Sequence, residues 1–172
     1  MKKEISSKEI KAIELDKYKK LVMATLDYCL ENPLYYVVTS EFDSRQHYIK
    51  LKKQAEEHYS KGRLSRLKQW FRDLTEGFIE AKDFRFNNYL RIRTNSDINI
   101  FIAYYTRIDK IMKSNKITTD NQFYDISMMV DHLCQNSNPD KTKIDEMNNL
   151  LRDYEKRKLN KILQSKKPDE IR

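Results

Sequence analysis

The pattern that decides the fold lies in residues 63–93, RLSRLKQWFRDLTEGFIEAKDFRFNNYLRIR. Six apolar side chains in this stretch follow one another at intervals of three or four residues: Leu64, Leu67, Phe71, Leu74, Phe78 and Ala81. Because an α-helix has 3.6 residues per turn, this spacing places all six side chains on one stripe. The stripe predicts an amphipathic helix that is buried along one side.

A second line of side chains flanks this stripe on the predicted helix. Arg63, Arg66, Trp70 and Gly77 fall on the same shoulder when successive residues are turned by 100°. Arginine beside an indole ring suits the stacking of nucleobases and the binding of phosphate or carboxylate groups. The alternative is that Trp70 packs at the edge of the core and that the arginines form a solvated face.

Residues 84–93 have two interpretations. They form either a small hairpin that turns at Asn87-Asn88, or a continuation of the preceding helix, which we favour. Basic and aromatic side chains alternate here, as in surfaces that hold a phosphate backbone and stack bases. The alternative is a set of core aromatics with arginines that reach out to solvent. The side chains concerned are Arg85, Phe86, Tyr89, Arg91 and Arg93.

Composition favours an all-α fold. The chain has 172 residues but only 2 glycines and 3 prolines, and sheet-rich folds with many turns usually need more of both. We predict an irregular antiparallel bundle of five or six helices. Residues 34–38, LYYVV, are rich in β-prone side chains and form either a minor short strand or an extended buried linker.

We predict a single helical domain over residues 1–165, followed by a solvated C-terminal tail at 166–172. Ser6 or Ser7 caps a first helix that ends near Glu31, because Asn32 precedes a proline. Ser40 and Asp43 open a helix over residues 41–59. Asn138-Pro139 begins the last helix, 139–164, whose basic end is expected to project past the body of the domain.

The charge distribution is uneven. The net charge is +8, and residues 45–68 contain eight basic and two acidic side chains, a local net charge of +6. Such a bias suits a negatively charged partner, although a lysine-rich composition alone also produces it. Residues 117–140 contain no lysine or arginine but four aspartates, Asp120, Asp125, Asp131 and Asp140. We expect this acidic segment to neutralise part of the basic shoulder inside the fold.

The sequence points to a cytoplasmic protein. Its two cysteines, Cys29 and Cys134, lie far apart in apolar helical contexts, which favours buried thiols over a disulfide. No apolar run approaches the length that spans a bilayer, and acidic residues interrupt the N-terminal segment where a signal peptide would be apolar. We therefore expect no membrane partner.

The sequence does not predict an enzyme. His47 and His58 stand about three helical turns apart, roughly 16 Å, which is too far to share a metal ion. Phosphate loops, dinucleotide fingerprints, zinc-protease motifs and nucleophile elbows are not found in the sequence. We expect no catalytic residues, no metal and no small-molecule cofactor.

The basic and aromatic residues together predict a non-enzymatic protein that contacts nucleic acid or a ribonucleoprotein. The alternative is a protein-protein interaction module, such as an adaptor, an inhibitor or a subunit of a larger assembly, that binds an acidic partner. Phe86 and Tyr89 are secondary candidates for stacking. The residues predicted to bind nucleic acid are Arg63, Arg66, Lys68, Trp70, Arg85, Arg91 and Arg93.

Overall fold

A computed structural model describes residues 6–165. The described part of the chain contains seven α-helices and one turn of 3₁₀-helix, so the all-α prediction is confirmed, whereas the count of five or six helices is too low. The sequence has few glycines and prolines, so short polar turns separate the helices. Composition alone does not predict how many such turns there are. The helices are α1 Ser7–Glu31, α2 Ser44–Ser60, α3 Leu64–Glu80, α4 Phe84–Thr94, α5 Ile102–Ser114, α6 Asp120–Cys134 and α7 Lys141–Ser165.

The contacts between residues divide the chain into two compact units, which we describe separately. The first unit ends at Ile100 and holds α1 to α4; the second begins at Phe101 and holds α5 to α7. A single domain over residues 1–165 stays a prediction. The predicted tail at 166–172 lies outside the described residues.

Helix α1 is the centre of the first unit. Of the two predicted caps, Ser6 or Ser7, Ser6 is the one that caps it, in a capping box with Glu9, and Asn32 ends it as predicted. Its second half, between Leu21 and Cys29, supplies a large part of the buried core. Helices α2, α3 and α4 each pack against α1. The unit is therefore a bundle around one long helix.

The segment predicted as a short strand, residues 34–38, is not one. Pro33–Tyr35 forms a turn of 3₁₀-helix whose first residues are capped by the side chain of Asn32. Proline fixes a helical φ angle at that position, and this local constraint outweighs the β-propensity of the tyrosines and valines after it. An isolated antiparallel bridge between Val38 and Asp43 is all the β pairing in the described chain.

Helix α2 begins later than the sequence predicts. Asp43 alone provides the cap, accepting hydrogen bonds from the backbone N–H groups of Arg45 and Gln46, so the helix starts at Ser44 and not at residue 41. The bridge between Val38 and Asp43 keeps the preceding residues in a tight turn. Gly62 then separates α2 from α3 with a φ of 62°, a left-handed conformation that costs glycine little.

The apolar stripe of α3 is largely confirmed. Leu67, Phe71 and Phe78 are buried, while Leu64 and Leu74 are half-buried. Ala81 is exposed because it already belongs to the C-terminal cap of the helix. Residues 84–93 are helical, as predicted, but they do not continue α3: Lys82 takes a φ of 54° and breaks the chain before α4.

An aromatic cluster joins α1, α3 and α4. Phe78 stacks on Phe86 with ring centroids 4.0 Å apart, and Tyr28 packs against both rings. Asp83 lies at its edge, where Oδ2 accepts hydrogen bonds of 2.9 Å from the hydroxyls of Tyr28 and Tyr35. Its Oδ1 accepts from the backbone N–H of Phe86 and so caps α4. One carboxylate therefore connects three structural elements.

The second unit is a three-helix arrangement in which α6 packs against both α5 and α7. Thr119 caps α6 by accepting a hydrogen bond from the backbone N–H of Gln122. The cap of α7 is Asp140, which accepts from the N–H of Lys143, instead of the predicted Asn138-Pro139. Helix α5 begins at Ile102, and its buried side is formed by Tyr104, Ile108 and Ile111.

The two cysteines differ in their surroundings. Both thiols are free, and Cys29 is buried in the core of the first unit, as predicted. The prediction of a buried thiol is wrong for Cys134, which is exposed because α6 ends at this residue.

Candidate functional site

The first two arginines of the predicted shoulder lie at the start of α3. Arg63 is the N-cap residue and Arg66 lies in the first turn, and both side chains are exposed. Arg66 makes a long hydrogen bond of 3.4 Å from Nη1 to Gln69 Oε1. Among the described residues, no carboxylate forms an ion pair with either arginine. Within the described part of the chain, both charges are therefore available to a partner.

These two charges oppose the helix dipole. The N-terminus of a helix carries a partial positive charge, so arginine there is unfavourable and acidic residues are favourable. Helix α3 has no acidic residue in its first turn, whereas Glu76 and Glu80 lie toward its C-terminus, where they are unfavourable too. The charges of α3 are therefore arranged against helix stability.

Lys68 is held inside the unit. Its Nζ lies 3.0 Å from both carboxylate oxygens of Glu14 on α1, and it also lies over the ring of Tyr18 at 5.3 Å from the centroid. Because its side chain is half-buried and its charge is paired, Lys68 contributes less net positive charge than the two arginines.

Trp70 is half-buried at the edge of the core. Its ring meets His58 of α2 edge-on, with centroids 5.0 Å apart and an interplanar angle of 83°. Burial lowers the pKa of His58, and the nearby charges of Arg63 and Arg66 lower it further. His58 is thus kept neutral near pH 7, and part of the indole surface is covered by it.

The three arginines of α4 are exposed but lie near carboxylates. Arg85 Nε is 3.7 Å from Asp83, Arg91 Nη2 is 3.8 Å from Asp97 and Arg93 Nη2 is 3.7 Å from Asp27. These are long ion pairs of exposed guanidinium groups, and such pairs contribute little energy. The guanidinium groups can therefore exchange these carboxylates for another anion.

The two secondary stacking candidates differ in accessibility. The expectation that Phe86 stacks on a base is wrong, because its ring is fully buried between α1 and α3. Tyr89 is half-buried, and its hydroxyl donates to Glu31 at 3.1 Å. Burial and Glu31 raise the pKa of Tyr89 to about 12. Tyr89 is thus packed into the aromatic cluster and offers only part of its ring.

Two of the four aspartates of the acidic segment form ion pairs inside the second unit, and the expectation that the segment neutralises the basic shoulder stays a prediction. Asp120 pairs with Lys158 at 2.6 Å, and Asp125 pairs with Arg107 at 3.1 Å, both inside the second unit. In the first unit, basic residues pair with carboxylates that the sequence does not single out, among them Glu14 and Asp27. Asp27 also accepts a hydrogen bond from Lys52.

The described residues contain no group of three or more histidine, cysteine or acidic side chains arranged to hold a metal ion. None of the helices between residues 6 and 165 is both long enough and apolar enough to cross a bilayer. Comparison with protein-family models, with curated proteins and with solved structures gave no match for this chain.

Proposed function

We propose that this protein is a non-enzymatic binding protein that contacts nucleic acid, alone or within a ribonucleoprotein, through the start of α3 and the exposed side of α4. The observation that carries the proposal is the pair Arg63 and Arg66. Both are exposed, both lack a carboxylate partner among the described residues, and both oppose the dipole of their helix. A phosphate group would relieve that unfavourable arrangement.

Phosphate contacts would dominate this interaction. Guanidinium groups bind phosphate oxygens in a bidentate manner, and Arg85, Arg91 and Arg93 add three exposed guanidinium groups on α4. Trp70 would add stacking only through the part of its ring that His58 leaves uncovered. Binding through phosphates carries little sequence information, so we expect affinity that depends strongly on salt and weakly on sequence.

The test is a double charge reversal, Arg63→Glu with Arg66→Glu, compared with a matched control on α5, Lys110→Glu with Lys113→Glu. All four side chains are exposed, and both variants change the net charge equally. If each arginine contacts one phosphate of a single strand, the slope of log affinity against log salt falls by about 1.4 in the first variant. Equal slopes and affinities for the two variants would show that the arginine pair does not bind phosphate groups.

One observation favours a second candidate, a protein-protein interaction module. The segment after α1 exposes Leu34 at 78%, Val38 at 69% and Val37 at 54% of their surfaces, and Phe42 is exposed as well. Exposed apolar side chains grouped in one segment are typical of protein interfaces. If no nucleic acid binds, this segment becomes the first surface to test, with Leu34→Ser and Val38→Ser as the substitutions that should abolish binding of a protein partner.

A further inference from the structure

A groove between α1 and the start of α3 brings together basic side chains that are distant in the sequence. It has a volume of about 700 Å³, and Lys11 of α1 lines it together with the arginine pair of α3. Lys11 is not among the residues that the sequence predicts to bind nucleic acid. The other lining residues are Gly62, Leu64, Ser65, Lys68 and Gln69.

Among the described residues, no acidic side chain lines this groove, although it contains four basic ones. Lys68 is neutralised from outside the lining by Glu14, but neither Lys11 nor the two arginines form an ion pair with any described carboxylate. A concave surface that carries one sign of charge concentrates the electrostatic potential and raises the local concentration of counter-ions. The groove is therefore a place where an anion would be held by side chains from two helices.

Packing between the two helices fixes this arrangement. Tyr18 of α1 meets Phe71 of α3 edge-on with centroids 6.1 Å apart, and the Glu14–Lys68 ion pair lies between the same helices. Lys11 precedes these contacts by one and two turns of α1, so its position beside α3 is a consequence of the packed core. The packing of α1 against α3 therefore holds these basic side chains near one another despite their mutual repulsion.

We propose that this groove binds a backbone phosphate of single-stranded nucleic acid, with Arg63 and Arg66 on one side of the phosphate and Lys11 on the other. This inference rests on the proposed function and assigns it a binding position. A flexible single strand can bend so that one of its phosphates enters a concave groove, whereas a rigid duplex presents its phosphates on a convex surface. Single strands are therefore preferred over duplexes here.

The test compares Lys11→Glu and Lys11→Gln with the control Lys17→Glu, which reverses an exposed charge on the same helix outside the groove. Fluorescence anisotropy with a labelled single-stranded oligonucleotide, and in parallel with labelled duplex DNA, is measured over a salt series. Both Lys11 variants should lower the magnitude of the salt slope by about 0.7, the value for one lost phosphate contact, and the control should keep it. Circular dichroism checks that every variant retains the helical content of the wild type.

Three outcomes overturn the inference. If Lys11→Glu and Lys17→Glu bind the oligonucleotide with the same affinity and salt slope while the wild-type protein binds well, the groove is excluded as the phosphate-binding position. The proposed function then stands. If the Lys11 variants lose affinity only for duplex DNA, the preference for single strands is wrong. If the wild type binds no nucleic acid at low salt, both the groove and the proposed function fail.

Discussion

The carboxylate of Asp83 offers the sharpest test of how the first unit is held together. Its side chain is only 8% exposed, and it accepts three hydrogen bonds: from the hydroxyls of Tyr28 and Tyr35 and from the backbone N–H of Phe86. The substitution Asp83→Ala removes all three at once. The third of these, from the N–H of Phe86, is the side-chain cap of α4.

The expected loss can be worked out from these contacts. Removal of a helix N-cap costs about 1 kcal/mol. Each tyrosine hydroxyl that loses its acceptor costs about 1 kcal/mol more. We therefore expect Asp83→Ala to lower the free energy of unfolding by about 3 kcal/mol, which is a large share of the total for a protein of this size. Asp83→Asn keeps an oxygen that caps α4, and it should cost about half as much.

The measurement is urea unfolding observed by circular dichroism, with the wild type, Asp83→Ala and Asp83→Asn at the same pH. The expected order of stability is wild type, then asparagine, then alanine, with an unchanged dependence on urea concentration. A loss below about 0.5 kcal/mol for Asp83→Ala would contradict the reasoning, because that is the size of an ordinary surface substitution. The connection of α1, the 3₁₀ turn and α4 through Asp83 would then contribute no stability.

Three further predictions concern stability. Phe71→Ala should lower the free energy of unfolding by about 3–5 kcal/mol as a core truncation, and a urea midpoint close to that of the wild type would contradict its burial. Burial raises the pKa of both Tyr28 and Tyr89 from 10 to about 12. Unfolded tyrosines thus lose protons first, and stability should fall as the pH rises from 10 to 12; a constant urea midpoint over that range would exclude this effect. The pKa values of His58 and His132 are lowered from 6.5, mainly by burial. The unfolded chain therefore takes up protons first and stability should fall as the pH drops below 6.5, whereas an unchanged midpoint between about pH 7 and pH 5.5 would refute it.

The part of the fold that sequence predicts well is the part set by local periodicity. The stripe of α3 and the cap of α1 at Ser6 depend on residues within a few positions of one another, and both are found. The segment at 34–38 differs from its prediction because one proline outweighs the strand propensity of its neighbours. The end of α3 is hard to predict because a left-handed Lys82 and the cap at Asp83 carry a weak signal.

The candidate site is predictable only in outline. Helical spacing gives the shared shoulder of Arg63 and Arg66, but it cannot give the partners that pair with the other basic residues. Glu14 lies 54 positions before Lys68, so their ion pair depends on how α1 packs against α3. Lys11 enters the groove for the same reason. The burial of Phe86 likewise depends on three helices meeting, which no single stretch of sequence encodes.

The most direct test of the central claim is fluorescence anisotropy of the purified protein with labelled single-stranded RNA, single-stranded DNA and duplex DNA over a salt series. We predict binding to the single strands at low salt, with log affinity falling against log salt at a slope of at least about 1.4 in magnitude, the value for two phosphate contacts. Absence of binding at low salt, or binding that salt does not weaken, would contradict the claim that the arginines of α3 and α4 form a nucleic-acid surface.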